Sequence, residues 1–375
     1  MRYLSDLGES ELRGKRILVR AGLDVPIADG EVAGDFRVES AIATLQYLRV
    51  RGARIIIISH IGRDEADTLA PVARALARSI PLTFIPDILG EKAHAAVAAL
   101  QDGELILLEN LRHDPREVAN DPGFAAELAA FGDLYVNDAF SDCHRAHASI
   151  VGIPKSIQGV MGLELAEEVA HLTSALTPQS PSLCILAGAK FETKEPLIRK
   201  MLGVYDTVYV GGALANDIFR ARGFEIGVSR ASESAPAEDV LTHPHLLTPI
   251  DLTVKRADGT EAVVASDAIG VGDRNMDIGP ESSAALKALV SAAATTLWNG
   301  PLGIYEEGFE SWTIELAKAI AEANGRSIVG GGDTVTAIED AGGDIMKRFT
   351  FVSTGGGAML DFLAEGTLPG IEALA

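Results

Sequence analysis

In the first 150 residues, arginine and histidine recur just beyond short apolar runs. The run 16–19 leads into Arg20-Ala21-Gly22-Leu23-Asp24-Val25-Pro26 and on to Arg37, and 54–59 ends in Ser59-His60-Ile61-Gly62-Arg63. The run 105–108 is followed by Glu109-Asn110-Leu111-Arg112, and 134–136 by Asn137-Asp138-Ala139-Phe140-Ser141-Asp142-Cys143-His144-Arg145-Ala146-His147. Any one of these cations could be a solvated surface charge. Four apolar runs that lead into Arg or His point instead to one pocket formed by Arg37, His60, Arg63, Arg112, His144 and Arg145. Guanidinium groups pair bidentately with carboxylate and phosphate, so the pocket suits a small ligand carrying both. A zinc site at Asp142, Cys143, His144 and His147 is disfavoured, because Arg145 is interleaved and no further cysteine lies nearby.

Beyond residue 180 the same positions are glycine-rich. Leu186-Ala187-Gly188-Ala189-Lys190 continues to Lys194, Val210-Gly211-Gly212-Ala213 opens a helical segment, and Trp298-Asn299-Gly300-Pro301 follows another apolar run. Gly330-Gly331-Gly332-Asp333-Thr334 and Ser353-Thr354-Gly355-Gly356-Gly357-Ala358 complete the series. Glycine lets backbone approach a ligand closely, and a helix N-terminus aims unpaired N–H groups at phosphate. A single such turn usually does no more than cap a helix; five form a pattern. There is no Gly-x-x-x-x-Gly-Lys-Ser/Thr, and Gly270-Val271-Gly272-Asp273-Arg274-Asn275 lacks the third glycine of a dinucleotide fingerprint. A nicotinamide dehydrogenase is therefore unsupported, and a bound nucleotide is held in another way.

These residues need strands to carry them. The runs 16–19, 54–59, 82–85, 105–108 and 134–136 are continuously apolar, as in strands covered on both faces, and the segments 38–48, 71–79, 92–100 and 124–130 between them have helical character. Strands alternating with helices predict a parallel sheet. A second series is expected at 183–186, 207–210, 262–265, 295–297, 328–329 and 349–352. The amphipathic stretch 161–176 separates the two series. The expected organisation is an N-terminal lobe over 1–158, joined by a tail at about 366–375, an interlobe helix over 159–176, and a C-terminal lobe over 177–365. The fold class is α/β, with two Rossmann-like lobes of mostly parallel sheet.

Composition narrows the partners. The 375 residues carry 32 Lys+Arg against 53 Asp+Glu, a net charge of −21, which argues against nucleic acid or an anionic membrane. Residues 1–155 hold 17 basic and 23 acidic side chains (net −6) and 156–375 hold 15 and 30 (net −15), so the cationic pocket lies within a net-acidic half. No apolar run approaches the roughly 20 residues of a membrane span, and acids at Asp6, Glu9 and Glu11 precede any secretory-type apolar region. Two cysteines are too few for a disulfide framework, so a cytoplasmic setting is expected.

The ordered set of Arg37, Ser59-His60-Ile61-Gly62-Arg63, Glu109-Asn110-Leu111-Arg112, Tyr135-Val136-Asn137-Asp138-Ala139-Phe140, His144-Arg145-Ala146-His147-Ala148-Ser149, Trp298-Asn299-Gly300-Pro301, Gly330-Gly331-Gly332-Asp333-Thr334 and Ser353-Thr354-Gly355-Gly356-Gly357-Ala358 resembles phosphoglycerate kinase, from about Arg16 to Gly370. The resemblance implies two lobes facing across a hinged cleft, a monomer, and reversible transfer between 1,3-bisphosphoglycerate and ADP. It implies that Asp24, Arg37, His60, Arg63, Arg112 and Arg145 meet 3-phosphoglycerate, with Arg37 also at the transferring group. Lys190, Gly332 and Gly356 would join Arg37 in catalysis. Lys190, Lys194, Gly211, Gly212, Leu214, Asn299, Glu306, Gly331, Gly332, Asp333 and Thr334 would hold the nucleotide. Gly355 would be a further N–H donor, Asp333 would be associated with Mg²⁺ carried by the nucleotide, and the last residues would return to the N-terminal lobe.

The chain departs from the family pattern in places. Where the family reads Arg-x-Asp-x-Asn-x-Pro, this chain has Gly22 for the Asp and Asp24 for the Asn. Ala187 stands for a glycine, Thr193 for an Asp and Trp312 for a glycine, Asp64 replaces a proline, and Pro115 interrupts an acidic run. Gly22 and Asp24 leave two alternatives open: a kinase of the same fold with a different small carboxylate as acceptor, and a degenerate nucleotide-binding homologue.

Overall fold

The computed structural model describes residues 2–33, 36–62, 66–189, 191–339 and 344–375. These form two compact units: Met1–Ala170 with Thr367–Ala375, and His171–Gly366.

The first unit is built on a six-stranded parallel sheet. Its spatial order is Thr83–Ile85, Leu105–Leu108, Arg54–Ile58, Arg16–Ala21, Leu134–Asp138, Gly159–Met161. The three central strands are almost wholly buried, which is why their sequences are continuous apolar runs rather than alternating ones. Helices Phe36–Val50, Ala70–Leu76, Glu91–Ala99 and Pro122–Ala129 make the connections. The last starts where chemistry dictates: Asp121 Oδ1 accepts from Phe124 N at 2.8 Å, and Pro122 stands in the first turn, where no N–H is missed. The chain leaves strand Arg16–Ala21 for one neighbour and later returns on its other side. That reversal puts a crevice beyond the carboxyl end of this strand.

The second unit repeats the design. Its six parallel strands lie in the order Leu246–Leu247, Thr207–Val210, Ser182–Leu186, Thr295–Asn299, Arg326–Gly330, Phe351–Ser353, with the reversal at Ser182–Leu186. A separate antiparallel sheet of Glu261–Ala265, Asp251–Lys255 and Arg274–Ile278 is added. The run 262–265, expected in the parallel series, belongs to this smaller sheet, at its edge. Its alternation of exposed and half-buried residues marks a strand covered on one side only. The stretch 161–176 also divides: Met161 ends an edge strand, and the helix is Leu163–Ala175. That helix runs from one unit into the other.

Residues 367–375 pack on the first unit. Gly370 N donates to Cys143 O at 2.8 Å, and Leu368, Ile371 and Leu374 are buried. Gly370 allows this approach, because a Cβ there would lie 2.9 Å from Cys143 Cα and Sγ. Among the described residues, no helix is long and apolar enough to cross a membrane.

Candidate functional site

The first sheet places its chemistry at the reversal. Arg20 is the penultimate residue of strand Arg16–Ala21 and is fully buried. Its guanidinium donates to Ser149 Oγ at 3.0 Å, Ala21 O at 2.6 Å and Asp142 Oδ2 at 3.2 Å, and meets His60 Nδ1 at 2.7 Å. Glu117, also buried, accepts from both Ser149 N (2.9 Å) and Ser149 Oγ (2.6 Å), so a continuous polar chain runs from Glu117 to His60. Removing any member would leave a buried polar group unpaired. Burial pushes the Asp142 carboxyl up, but the neighbouring His60 ring and the charges of Arg20 and Arg145 outweigh it and hold the group below the usual range.

The loops above this chain carry the expected cations. Arg37 opens helix Phe36–Val50 and donates to Asp24 O. Arg112 donates to Gly62 O; its affinity for the proton is lowered first by burial and then by the neighbouring charge of Arg145. Arg145 Nε lies 3.2 Å from His144 Nε2. Burial, together with Arg145, Arg112 and Arg20, depresses His147 to about 4. Two guanidinium groups that repel one another and share one region with Arg20 make a site prepared for an anion. Asn110 sets the loop that carries His60 and Gly62: its Oδ1 accepts from Ile61 N and its Nδ2 donates to Ile61 O and Asp67 O. Arg63 and Asp64 lie outside the described residues.

In the second unit the strand ends are stacked backbone to backbone. Gly212 has φ +60°, and a Cβ on it would come within 2.7 Å of Gly188 N; Gly300 has φ +97°, with a Cβ 2.2 Å from Ala187 O. Only glycine fits at either place. Gly212, Gly332 and Gly356 are the first residues of helices Gly212–Ala221, Gly332–Glu339 and Gly356–Glu365, so three N-termini gather at this edge. Lys194, in helix Phe191–Leu202, is nine-tenths buried and donates to Ala187 O at 2.6 Å. Burial pushes its amine down to about 8 against the opposing pull of Asp333. Lys190 lies outside the described residues.

Beside these loops is a pocket of about 440 Å³, lined by Gly188, Gly212, Pro301, Leu302, Glu306 and Asp333, among others. Leu214, Asn299 and Thr334 are buried and tie the loops together. Leu214 N donates to Gly188 O (3.1 Å), Asn299 Nδ2 to Gly330 O (2.9 Å), and Thr334 Oγ1 accepts from Gly300 N (2.7 Å). Among the described residues, no cluster of three His, Cys, Asp or Glu could hold a metal.

The phosphoglycerate kinase family model matches residues 6–366. Curated phosphoglycerate kinases of Moorella thermoacetica and Herpetosiphon aurantiacus are 40% and 41% identical to the chain, over 98% and 96% of both sequences respectively. The chain belongs to the phosphoglycerate kinase family. Solved structures agree: the phosphoglycerate kinase of Coxiella burnetii superposes with a TM-score of 0.84 at 33% identity, covering 99% of this chain and 98% of that one. That of Pyrococcus horikoshii gives 0.86 at 30%, covering 100% and 98%.

For a phosphoglycerate kinase, the residues missed by motif reading are the buried ones. Arg20 and Ser149 stand inside the sequence motifs without an assigned role, and Glu117 belongs to none. One signal was available: Arg20 follows directly on the apolar residues Ile17, Leu18 and Val19 of its strand, where an unpaired charge would be prohibitively costly.

Proposed function

We infer that the chain catalyses phosphoryl transfer between 1,3-bisphosphoglycerate and ADP, giving 3-phosphoglycerate and ATP. Beyond family membership, the observation that carries this reading is a pair of sheet reversals with different chemistry. The first gathers arginine and histidine; the second gathers helix N-termini and a buried lysine beside a nucleotide-sized pocket.

In the ATP-consuming direction, a carboxylate oxygen of 3-phosphoglycerate attacks the γ-phosphorus. The bond from that phosphorus to the β,γ-bridging oxygen breaks, and ADP leaves with the electron pair. The acceptor carboxyl has a reference pKa of roughly 3.5, so it is already ionised and no general base is needed. What remains is positioning and neutralisation of charge on the transferred group. We assign His60, Arg63, Arg112 and Arg145 to the substrate's phosphate and carboxylate, and Arg37 to both substrate and transferring group. Lys190 is assigned to the phosphoryl in flight, with Gly332 and Gly356 donating backbone N–H groups to it. Lys194, Gly331 and Gly355 face the nucleotide phosphates, and Glu306, Gly211 and Gly212 the nucleoside.

Mg²⁺ carried with ADP or ATP would neutralise phosphate charge. An exposed carboxylate lining the pocket, Asp333, suits that arrangement, since Mg²⁺ commonly takes one or two protein carboxylates and completes its shell with phosphate and water. Transfer requires the acceptor oxygen to reach the phosphorus, so we propose that the two units close on their ligands, with helix Leu163–Ala175 as the connector. A monomeric cytoplasmic enzyme is the setting this reading favours. The test is a coupled assay of ATP turnover with 3-phosphoglycerate beside other small carboxylates. Turnover specific to 3-phosphoglycerate is expected; turnover only with another acid would replace the substrate.

A further inference from the structure

The loop after the first strand has already put an anion among the cations. Asp24 Oδ1 accepts from Gly62 N at 2.9 Å, and its Oδ2 lies 3.5 Å from His60 Nε2. Arg20 fixes the direction of the second contact from behind. Its Nη2 is 2.7 Å from His60 Nδ1. A guanidinium can only donate, so Nδ1 accepts and the ring hydrogen sits on Nε2, toward Asp24. Nε2 is buried and makes no hydrogen bond among the described residues, with Asp24 Oδ2 facing it at 3.5 Å. Arg20 cannot adjust, being fully buried and bound to Ser149, Ala21 and Asp142. The Arg112 charge also acts on Asp24, and Arg112 grips the same Gly62 through its carbonyl.

We infer that Asp24 is a built-in counter-anion: in the ligand-free chain its carboxylate takes the Gly62 N–H and stands in front of the His60 Nε2 hydrogen, donors that the substrate's own carboxylate or phosphate takes, and it must turn away for binding to be completed. The inference rests on the substrate site proposed above. An ionised carboxylate accepts hydrogen bonds and donates none, so Asp24 can only compete with an incoming anion and repel it. Protonation does not relieve the competition. Burial works against the charged form of Asp24, but His60, the Gly62 N–H and Arg112 outweigh it and hold the group at about 2. Asparagine at this position would keep an oxygen for Gly62 N, lose the charge, release the His60 Nε2 hydrogen and offer an N–H to the ligand.

The experiment titrates full-length wild type and Asp24→Asn calorimetrically with 3-phosphoglycerate, with sulfate as a plain anion and with MgADP, and measures kcat and KM for both. The expected result is at least tenfold tighter binding of 3-phosphoglycerate to Asp24→Asn, tighter sulfate, a matching fall in KM, and an unchanged MgADP Kd. Equal or weaker anion binding by a folded variant overturns the inference and makes Asp24 a group that positions substrate. If Asp24→Asn fails to fold, Asp24→Ser, which keeps an uncharged acceptor near Gly62, is read by the same criteria. If wild type turns over no 3-phosphoglycerate yet sulfate binds the variant more tightly, the counter-anion stands and the substrate assignment falls. If wild type turns over 3-phosphoglycerate and the variant binds anions no better, the substrate assignment stands and the counter-anion falls.

Discussion

Charge on single residues decides the two sharpest expectations. Arg37 stands at a helix start, its guanidinium turned back onto the Asp24 carbonyl, and is assigned to charge that develops on the transferring group. Arg37→Ala should therefore lower kcat by about 100-fold or more, while MgADP affinity stays within about threefold. Steady-state kinetics beside ADP titration checks this; lost ADP affinity with normal kcat would move Arg37 out of the reacting region. Lys194 gives a pH dependence. Its amine, lowered by burial to about 8, loses its proton as pH rises through that value, and with it the charge that meets phosphate. If only the charged form binds, MgADP affinity should weaken roughly tenfold between about pH 7 and pH 9. In Lys194→Met the affinity should be low and flat over that range, and a wild-type affinity independent of pH would remove Lys194 from the phosphates. The cations and glycines of both regions were legible in the sequence because their types and spacing repeat. Arg20 and Glu117 were not, since their importance lies in what they touch across 129 and 32 residues of chain.

At the scale of elements, strand ends and helix starts are held at backbone contact, and glycine is what permits it. Gly300→Ala would combine φ +97° with a Cβ 2.2 Å from Ala187 O, which is fixed in turn by Ala187 N donating to Asn299 O at 2.8 Å. The expected cost is about 3 kcal/mol, read as a lower midpoint in urea denaturation, together with weakened nucleotide binding. A variant of unchanged midpoint would show that the loops can separate freely. The parallel strands were legible as apolar runs. The strands Asp251–Lys255 and Arg274–Ile278 were not, because neither forms an apolar run: the first alternates polar and apolar residues and the second is mostly polar. Asp251 illustrates why: it is buried, and its carboxylate accepts from Glu281 N (3.0 Å) and Ser282 N (2.7 Å), capping helix Pro280–Ala292 from another part of the chain.

For the whole molecule, the C-terminal segment closes the first unit. Leu368, Ile371 and Leu374 are all at least 94% buried there, and each such side chain is worth roughly 1.5–3 kcal/mol. Ending the chain at Gly366 should lower the melting temperature of the first unit and expose it to proteolysis. Calorimetry on full-length and truncated protein checks this, and coincident melting curves would show the segment to be dispensable.

The sequence by itself determined the two series of parallel strands, the places where function gathers and the family. Apolar runs and glycines report local requirements, namely burial on both faces and backbone that must bend or approach. Only the tertiary structure decided which charges are used up inside the protein and which remain for a ligand. Arg20 and Asp24 have the same ionic character in sequence as Arg37 and Asp333. Folding buries Arg20 behind His60 and presses Asp24 against Gly62 and His60. Whether a charge serves the fold or the substrate depends on desolvation and on the partners that distant segments bring to it.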